Sequence, residues 1–525
     1  MPMRSTLPDI EIPNTSIHEY LFADLDETQL DAVAIVDGTS GAETTYRQLV
    51  AQIDLFAGAL AARRIGIGSR IGILCPNIPA FATVFHGILR AGATATTINS
   101  LYTADEIANQ LEDAGAEWLI TVTPLLAGAK AAAAQRGIPD DRLIVLDGAE
   151  GHPDLRSLLA EGHAAPDVVF DPATHLAVLP YSSGTTGRPK GVMLTHRNLV
   201  ANVAQCRSML TVGEQDRILA ILPFFHIYGM TVLLNFAIRQ RAGLVTMPKF
   251  DLPEFLRIIQ EHRTSWVFIA PPVAVALAKH PIVDQYDLSS VRVIFSGAAP
   301  LDGALAAAVE QRLGCSVVQG YGMTETSPAA NLIPAERTDI DKSSIGPLVP
   351  NTEARIVDPE TGVDVDVPAE GPSAAGELWL RGPQIMSGYL NRPEATAEML
   401  DADGWLHTGD IATVTSDGIF RIVDRLKELI KYKGYQVAPA VLEALLLEHP
   451  LIADSAVIGA YDEDGQEIPK AFVVRQADAD LSAQDVMDFV AARVAPHEKV
   501  RQVEFIETIP KSSAGKILRK ELRAA

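Results

Sequence analysis

The residues from Tyr181 to His196 have types and spacing that suit phosphate binding. This stretch follows a short apolar run, Leu176–Leu179, and holds two serines, two threonines and two glycines before Lys190. After the lysine, the pattern predicts a strand at Val192–Leu194 and a helix with Thr195 as its N-cap. Glycine allows backbone N–H groups to face an anion, and a lysine adds a point charge to the same anion. A Walker A loop is excluded, because Arg188 and Pro189 separate the last glycine from the lysine. By composition alone, a Ser/Gly-rich connector fits equally well.

Hydrophobic patterning predicts the elements that must position this loop. Up to about residue 170, short apolar strands alternate with alanine-rich helices, as in the predicted strand Arg70–Leu74 and the predicted helix Ala80–Ala91. Further strands are predicted at Trp266–Ala270, Val291–Ser296 and Val317–Gln319. This alternation predicts an α/β fold with a parallel sheet. Ligands bind at the carboxyl ends of such strands, and three of the predicted ends carry Gly-, Ser- or Thr-rich turns.

The last third of the chain changes character. From about Ile345 the pattern predicts a small β subdomain of short strands joined by turns. The predicted strands are Ala354–Val357, Glu377–Arg381, Ile411–Thr415 and Ile419–Val423. The stretch Arg421–Lys433 then carries five cations and two acids. Such a run is most often a solvated face, but on a strongly acidic chain with a candidate phosphate loop we favour a ligand role. The residues beyond it, which include a predicted strand at Ser455–Ala460, indicate a separate small α+β domain that ends in a basic helix.

Length and composition restrict the function classes. A chain of 525 residues is expected to form two or more domains. The net charge of −23 disfavours nucleic acid as a partner. The dispersed cysteines Cys75, Cys206 and Cys315 predict buried thiols and no zinc site, and Met1–Ile12 has no apolar signal core, so we expect a cytoplasmic protein. The apolar run Leu219–Ile238 is interrupted by polar residues and is predicted to line a cavity rather than to span a membrane.

Six motifs together resemble the adenylate-forming superfamily of acyl-CoA synthetases, peptide-synthetase adenylation domains and luciferases. They are Tyr181–His196, Gln319–Glu325, Gly376–Gly382, Gly404–Asp410, Asp424–Pro439 and Pro510–Lys520. The stretches Pro223–Tyr228 and Leu429–Pro439 are most similar to 4-coumarate:CoA ligases and their bacterial relatives.

The resemblance implies a division of the chain into two mobile parts. An N-terminal domain, residues 1–424, would contain two α/β layers and a β subdomain at about 345–424. A hinge at 425–427 would lead to a mobile α+β domain, residues 428–525. Lys427 falls at the hinge position, where one residue absorbs the rotation between the parts.

The resemblance also implies a reaction in two steps. A carboxylic acid reacts with ATP and Mg²⁺ to give acyl-AMP and pyrophosphate, and coenzyme A then displaces AMP to give the thioester. The expected substrate is a cinnamate- or 4-coumarate-like aryl acid. A medium- or long-chain fatty acid, or transfer to a carrier protein, remains an alternative, and so do a luciferase-like oxygenase and a non-catalytic nucleotide-binding protein. The protein is expected to be a monomer or homodimer.

Matching positions supply the implied site residues. Lys516 would bridge the carboxylate and the α-phosphate, Glu325 would coordinate Mg²⁺, and Thr324 would touch a phosphate, although the last two also suit helix capping. Lys431 and Gln436 would belong to the adenylation arrangement. The residues implied to bind ATP or AMP are Ser182, Ser183, Gly184, Thr185, Thr186, Lys190, Ala298, Gln319, Gly320, Tyr321, Thr324, Asp410 and Arg425. Those implied to meet coenzyme A are Lys249, Lys433 and Gly434.

The acyl pocket is implied by a third set of positions. These are His226, Tyr228, Thr231, Ala298, Gly322, Ser327, Pro328 and Ala329. All are neutral or small, which disfavours an amino acid, whose ammonium needs a carboxylate partner. Phe295 stands where plant-type coumarate ligases often carry a lysine, so that position does not predict recognition of a phenolic hydroxyl. An apolar pocket discriminates weakly between tails of similar size.

Overall fold

A computed structural model describes residues 2–182, 189–432, 435–462, 466–477, 479–512 and 515–524. Two largely parallel sheets form most of the structure. The six strands of the first sheet, in spatial order, are Leu194–Thr195, Leu176–Val178, Thr94–Thr97, Arg70–Ile73, Trp118–Thr121 and Leu143–Val145. The eight strands of the second are Ala329–Leu332, Ser316–Gly322, Val293–Ser296, Trp266–Ile269, Arg217–Ala220, Gly243–Thr246, Val33–Asp37 and Glu43–Thr45. The outermost strands Leu194–Thr195, Ala329–Leu332 and Glu43–Thr45 pair antiparallel.

A third sheet is antiparallel throughout. Its strands, in spatial order, are Met3–Arg4, Glu353–Val357, Gly376–Arg381, Leu406–Val414 and Phe420–Arg425. The sequence predicts the last four approximately, but not the N-terminal strand, because two residues carry no alternation of their own.

The C-terminal part has its own sheet and core. Strand Ile452–Tyr461 pairs antiparallel with Glu467–Arg475, which pairs parallel with Gln502–Phe505. The short strands Ile430–Tyr432 and Tyr435–Val437 form a hairpin, and Tyr181–Ser182 pairs with Lys190–Gly191 in another two-stranded unit. The buried core of this part includes Ile430, Val437, Leu442, Leu446, Ile452, Val457, Val473, Val486 and Val490. The mixed α/β fold predicted from the sequence is confirmed, while the boundary at 424 and the hinge stay predictions.

Helices cover the faces of these sheets. The α-helices are Ile17–Phe22, Glu27–Asp31, Tyr46–Ala62, Pro79–Arg90, Ala104–Ala114, Leu126–Arg136, Leu155–Ala160, His196–Arg207, Phe236–Gln240, Leu252–His262, Pro271–Lys279, Gly303–Leu313, Pro393–Met399, Pro439–Leu447, Ala483–Ala491 and Arg519–Ala524. A π-helix spans Tyr228–Asn235, and single 3₁₀ turns include Thr324–Thr326. Among the described residues, no helix is long and apolar enough to cross a membrane.

The segment after the phosphate loop departs from its prediction. The predicted strand Val192–Leu194 is broken, because Val192 bridges to Tyr389 and the N–H of Met193 donates to the carbonyl of Gly388. The chain returns to the first sheet at Leu194–Thr195, which pairs with the strand Leu176–Val178. Thr195 then caps the following helix as predicted, since its hydroxyl accepts the N–H of Asn198 at 3.2 Å.

Candidate active site

A buried carboxylate lies where two strands of the antiparallel sheet pair. Asp410 is directly opposite Arg425 in the register of these strands, and its Oδ1 lies 3.3 Å from the Arg425 Nε. The hydroxyl of Tyr321 donates to Oδ2 at 2.5 Å. Burial, followed by the Asp410 charge, raises the pKa of Tyr321 well above its usual value. Both carboxylate oxygens therefore have partners, and the group is fixed in orientation.

A second buried carboxylate lies beside the described flanks of the phosphate loop. The Oε1 of Glu325 accepts hydrogen bonds from the Ser182 hydroxyl at 3.0 Å and from the Tyr389 hydroxyl at 2.7 Å. The Nζ of Lys190 lies 4.6 Å from the centroid of the Tyr389 ring. Thr324, next to Glu325, is also buried. The loop residues Ser183, Gly184, Thr185 and Thr186 lie outside the described residues.

Glu325 is suited to a hard divalent cation. Both hydrogen bonds that the described residues make to this carboxylate end on Oε1, which leaves Oε2 available. The described part of the chain contains no cluster of three or more His, Cys, Asp or Glu side chains able to enclose a metal. Mg²⁺ is commonly held by one or two carboxylates together with water and substrate phosphates. The donor set therefore fits Mg²⁺ that arrives with a nucleotide.

The terminal loop reaches this region from the C-terminal part. Gly515 has φ = +82°, and a Cβ placed there would lie 3.1 Å from the Cβ of Ala270. Its neighbour Lys516 has a pKa lowered to about 8, first by burial and then by the charge of Arg425, while Asp410 and Glu325 oppose the shift. Lys516 thus shares its electrostatic environment with both buried carboxylates.

The ends of two neighbouring strands form a narrow wall beside these groups. Ala298 follows the strand Val293–Ser296 and adopts φ = +71°, which is uncommon for a residue with a side chain. A Cβ at Gly320 would lie 2.7 Å from the carbonyl oxygen of Asn331, so no side chain fits there. The Oε1 of Gln319 accepts a hydrogen bond from the Leu301 N–H, and its Nε2 donates to the backbone carbonyls of Leu301 and Lys342. Gln319 therefore supports the wall through its side chain.

Several predicted acyl-pocket residues lie on or next to this wall. A Cβ at Gly297 would lie 2.7 Å from the Tyr228 ring, so glycine permits close contact of strand and ring. The Nδ1 of His226 accepts the Tyr228 N–H at 3.3 Å. Burial, followed by the charge of Lys516, lowers the pKa of His226 to about 4, so this imidazole is neutral at pH 7.

Three hydroxyl groups in this region are buried without a partner. Among the described residues, the hydroxyls of Tyr228, Thr231 and Ser296 make no hydrogen bond. Gly322 packs against the Pro328 carbonyl, and the Ser327 hydroxyl donates to the carbonyl of Gln384 at 2.7 Å. The Ser327 hydroxyl is therefore used in a hydrogen bond within the protein, whereas the hydroxyls of Tyr228 and Thr231 are available to a ligand. Pro328 and Ala329 are also buried.

Other predicted residues lie apart from this cluster. Lys249, Lys427 and Lys431 are exposed, and the backbone N–H of Lys431 donates to Glu467 at 2.8 Å. Lys433, Gly434 and the side chain of Gln436 lie outside what the structure describes.

Sequence reasoning missed Tyr389, which contacts Glu325 and lies beneath Lys190. Tyr389 lies 64 positions from Glu325 in the sequence, so no local sequence pattern indicates that the two side chains are in contact.

Two family descriptions match the chain. Residues 22–390 match the AMP-binding enzyme family, and residues 441–516 match the AMP-binding enzyme C-terminal domain. The chain belongs to the AMP-binding enzyme family.

Similar curated proteins and solved structures cover the chain almost completely. The chain is 43% identical to 4-coumarate–CoA ligase 1 of Solanum tuberosum, over 99% of this chain and 96% of that protein. ATP-bound MatB from Rhodopseudomonas palustris superposes with a TM-score of 0.88 at 28% identity, covering 98% of this chain and 99% of that one. The anthranilate CoA ligase AuaEII in complex with anthranoyl-AMP gives a TM-score of 0.89 at 26% identity, covering 98% of each chain.

Proposed function

We propose that this protein, an AMP-forming acid:CoA ligase, activates cinnamate-like aryl acids. It uses ATP to form an acyl-AMP and pyrophosphate, and then coenzyme A to form the thioester and AMP. The observation that supports this proposal best is the position of Lys516. A loop from the C-terminal part brings this lysine within electrostatic range of Asp410, Arg425 and Glu325, and of His226 in the proposed acyl pocket.

The first step joins two anions, so positioned positive charge is its main requirement. Lys516 would lie between the acid carboxylate and the α-phosphate, where its charge offsets the repulsion between them. Asp410, held by Arg425 and Tyr321, would accept hydrogen bonds from the ribose hydroxyls. Glu325 would hold Mg²⁺, which when bound neutralises phosphate charge and orients the triphosphate. Lys190 would add charge beside the phosphate loop.

The remaining nucleotide contacts would come from backbone and small residues. Ala298, Gly320 and Tyr321 would flank the adenine, where the small residues Ala298 and Gly320 let a flat ring approach the backbone. Gln319 would keep that wall in place through its bonds to Leu301 and Lys342. Ser182 and Thr324 would face the phosphates together with the loop residues Ser183, Gly184, Thr185 and Thr186.

The second step would require rotation of the C-terminal part. Lys427 lies in the turn between the strands Phe420–Arg425 and Ile430–Tyr432. Its side chain is exposed, so a change in its backbone dihedral angles would not remove that side chain from a packed core. Rotation about this residue would remove Lys516 from the site and admit coenzyme A. Lys249, Lys433 and Gly434 would then meet coenzyme A, while Lys431 and Gln436 would act in adenylation.

The acyl pocket favours a hydroxylated aryl acid over a plain aliphatic tail. A buried hydroxyl without a partner costs about 1–3 kcal/mol, and a substrate hydroxyl would remove that cost at Tyr228 or Thr231. This supports an aryl acid with a ring hydroxyl even though Phe295 occupies a position where relatives often have lysine. The relatives' names support an aryl acid, since they include ligases for 4-coumarate and anthranilate, but of these two acids only 4-coumarate carries a ring hydroxyl.

A pyrophosphate-release screen tests this proposal. The purified protein, ATP and Mg²⁺ would be combined with cinnamates, benzoates and fatty acids of increasing length, with and without coenzyme A. Hydroxylated cinnamates should give the highest kcat/KM, and the thioester should form only with coenzyme A. A preference for fatty acids would contradict the substrate class. If pyrophosphate were released without thioester formation and the acyl group passed to a carrier protein, the acyl acceptor would be that carrier protein and not coenzyme A.

A further inference from the structure

Tyr389 connects two parts of the site that lie far apart in the sequence. Its hydroxyl donates to Glu325 Oε1 at 2.7 Å, and its ring centroid lies 4.6 Å from the Nζ of Lys190. The tyrosine and the glutamate are both buried, with 4% and 5% of their surface exposed. A single side chain therefore contacts both the carboxylate suited to Mg²⁺ and the lysine that ends the phosphate loop.

The backbone around Tyr389 is fixed to the same two neighbours. The N–H of Leu390 donates to the carbonyl of Gly191 at 2.8 Å, and the N–H of Met193 donates to the carbonyl of Gly388 at 2.9 Å. On the other side, the N–H of Met386 donates to the carbonyl of Glu325 at 2.9 Å. The ring thus has little freedom to move away from either contact.

The orientation of Glu325 follows from these contacts. Ser182 and Tyr389 both donate to Oε1, from the phosphate-loop side and from the ring side respectively. Two donors on one oxygen fix the carboxylate plane and direct Oε2 away from both. Ser182 directly precedes the undescribed part of the phosphate loop, whereas Tyr389 is held by the backbone bonds of its own segment.

We propose that Tyr389 is a positioning residue that holds Glu325 in the orientation that binds the divalent cation and supports Lys190 through its ring. This inference rests on the proposed role of Glu325 as the metal ligand. The two functions belong to different parts of one side chain, so they can be removed separately.

Two variants separate the hydroxyl from the ring. Tyr389→Phe keeps the ring beneath Lys190 and removes the donor to Glu325. It should raise the Mg²⁺ concentration for half-maximal pyrophosphate release about ten-fold, as expected for a hydrogen bond to a charged group, with little change in KM for ATP at saturating Mg²⁺. Tyr389→Leu should show the same metal defect and also raise KM for ATP about three-fold, because the cation–ring contact is lost.

The control is Tyr46→Phe, which removes another buried hydroxyl. That hydroxyl donates to the carbonyls of Ile238 and Ala242, away from the site. Its Mg²⁺ requirement should equal that of the unmodified protein even if its thermal stability falls.

A binding measurement makes the test independent of turnover. Mn²⁺ would be titrated by electron paramagnetic resonance in the presence of a non-hydrolysable ATP analogue. Tyr389→Phe should weaken Mn²⁺ binding about ten-fold relative to the unmodified protein and Tyr46→Phe. Equal Mn²⁺ affinity in all three proteins would overturn the inference, whereas failure of the unmodified protein to split ATP would count against the proposed function instead.

Discussion

The nucleotide side and the acyl side of the site differ in how their buried polar atoms are paired. On the nucleotide side, Asp410 is bonded by Arg425 and Tyr321, and Glu325 by Ser182 and Tyr389. On the acyl side, the hydroxyls of Tyr228 and Thr231 have no partner among the described residues. Under the proposed roles, the groups that would meet ATP, which is common to every turnover, are fixed in advance, while the groups that would meet the acid are left for the substrate to satisfy.

Lys516→Ala should produce the largest loss, because it removes the cation that the C-terminal part contributes to the nucleotide side. Removal of a charge positioned on the reacting groups should lower acyl-AMP formation by about 10²–10³-fold. Conversion of supplied acyl-AMP and coenzyme A to thioester should stay largely intact. Both half-reactions would be followed in single-turnover experiments, and an equal loss in both would refute the role given to this lysine.

The pH dependence of acyl-AMP formation tests whether the charge of Lys516 is required. Lys516 acts as a cation, and its lowered pKa of about 8 means that the free enzyme loses this charge as pH rises through that value. The kcat/KM for adenylation should therefore fall above about pH 8. Lys516→Arg should be slower, but its rate should not fall in that range, because arginine remains charged. An unchanged basic limb in the arginine variant would assign the limb to another group.

Asp410→Ala should weaken nucleotide binding about 10- to 100-fold, since it removes a charged acceptor and leaves Arg425 without its partner. The effect should appear in KM for ATP and be the same for every acid tested. Asp24→Ala provides a control, because Asp24 also pairs with arginines, Arg239 and Arg241, but lies elsewhere. A loss that varied from acid to acid would place Asp410 on the acyl side.

Changes at the acyl hydroxyls should alter selectivity more than rate. Tyr228→Phe or Thr231→Val should lower the preference for 4-hydroxycinnamate over cinnamate about ten-fold, with KM for ATP unchanged. Thr121→Val is the matched control, since Thr121 is another buried hydroxyl without a partner and lies in the six-stranded sheet. If all three variants kept the original preference, the comparison between the two sides would fail.

Unpaired buried atoms also occur far from the site, with a consequence for stability rather than selectivity. Neither ring nitrogen of His86 has a partner among the described residues, and burial, followed by the charge of His18, lowers the pKa of His86 to about 3. As pH falls through about 6.5, His86 therefore binds a proton in the unfolded state but stays neutral in the folded state. His86 alone should lower the free energy of unfolding by about 1.4 kcal/mol per pH unit as pH drops below that value. His18, His196 and His226, whose pKa values are also lowered by burial, should add to this slope.

Urea unfolding at pH 7 and pH 5 measures this effect. His86→Phe should reduce the pH dependence of the unfolding free energy, because phenylalanine does not titrate and its neighbours Phe22 and Phe85 are aromatic. The same pH dependence in this variant would assign it to other groups, such as His18 or His196, whose pKa values are also lowered by burial.

Local signals predicted local structure well. The predicted helix Ala80–Ala91 corresponds to Pro79–Arg90, and Thr195 caps its helix as expected. Predicted strands of the C-terminal part also recur with shifted ends, as Ser455–Ala460 does within Ile452–Tyr461. These features depend on neighbours within a few residues, so hydrophobic period and capping chemistry suffice to find them.

Long-range partners could not be predicted in the same way. Nothing in the sequence indicates that Met3–Arg4 joins the antiparallel sheet, or that Tyr389 contacts Glu325. The side chain of Gln319 bonds to backbone instead of facing outwards, and Lys431 is exposed on its strand. Each outcome depends on which distant segments pack together.

The order and residue types of the motifs were enough to indicate the family and the acid:CoA ligase activity, because such motifs retain residue types that the reaction requires. Which charged residues lie near one another depends on three-dimensional packing and not on spacing along the chain. Lys516 comes within electrostatic range of Asp410 and Glu325 because two separately packed cores place their loops together.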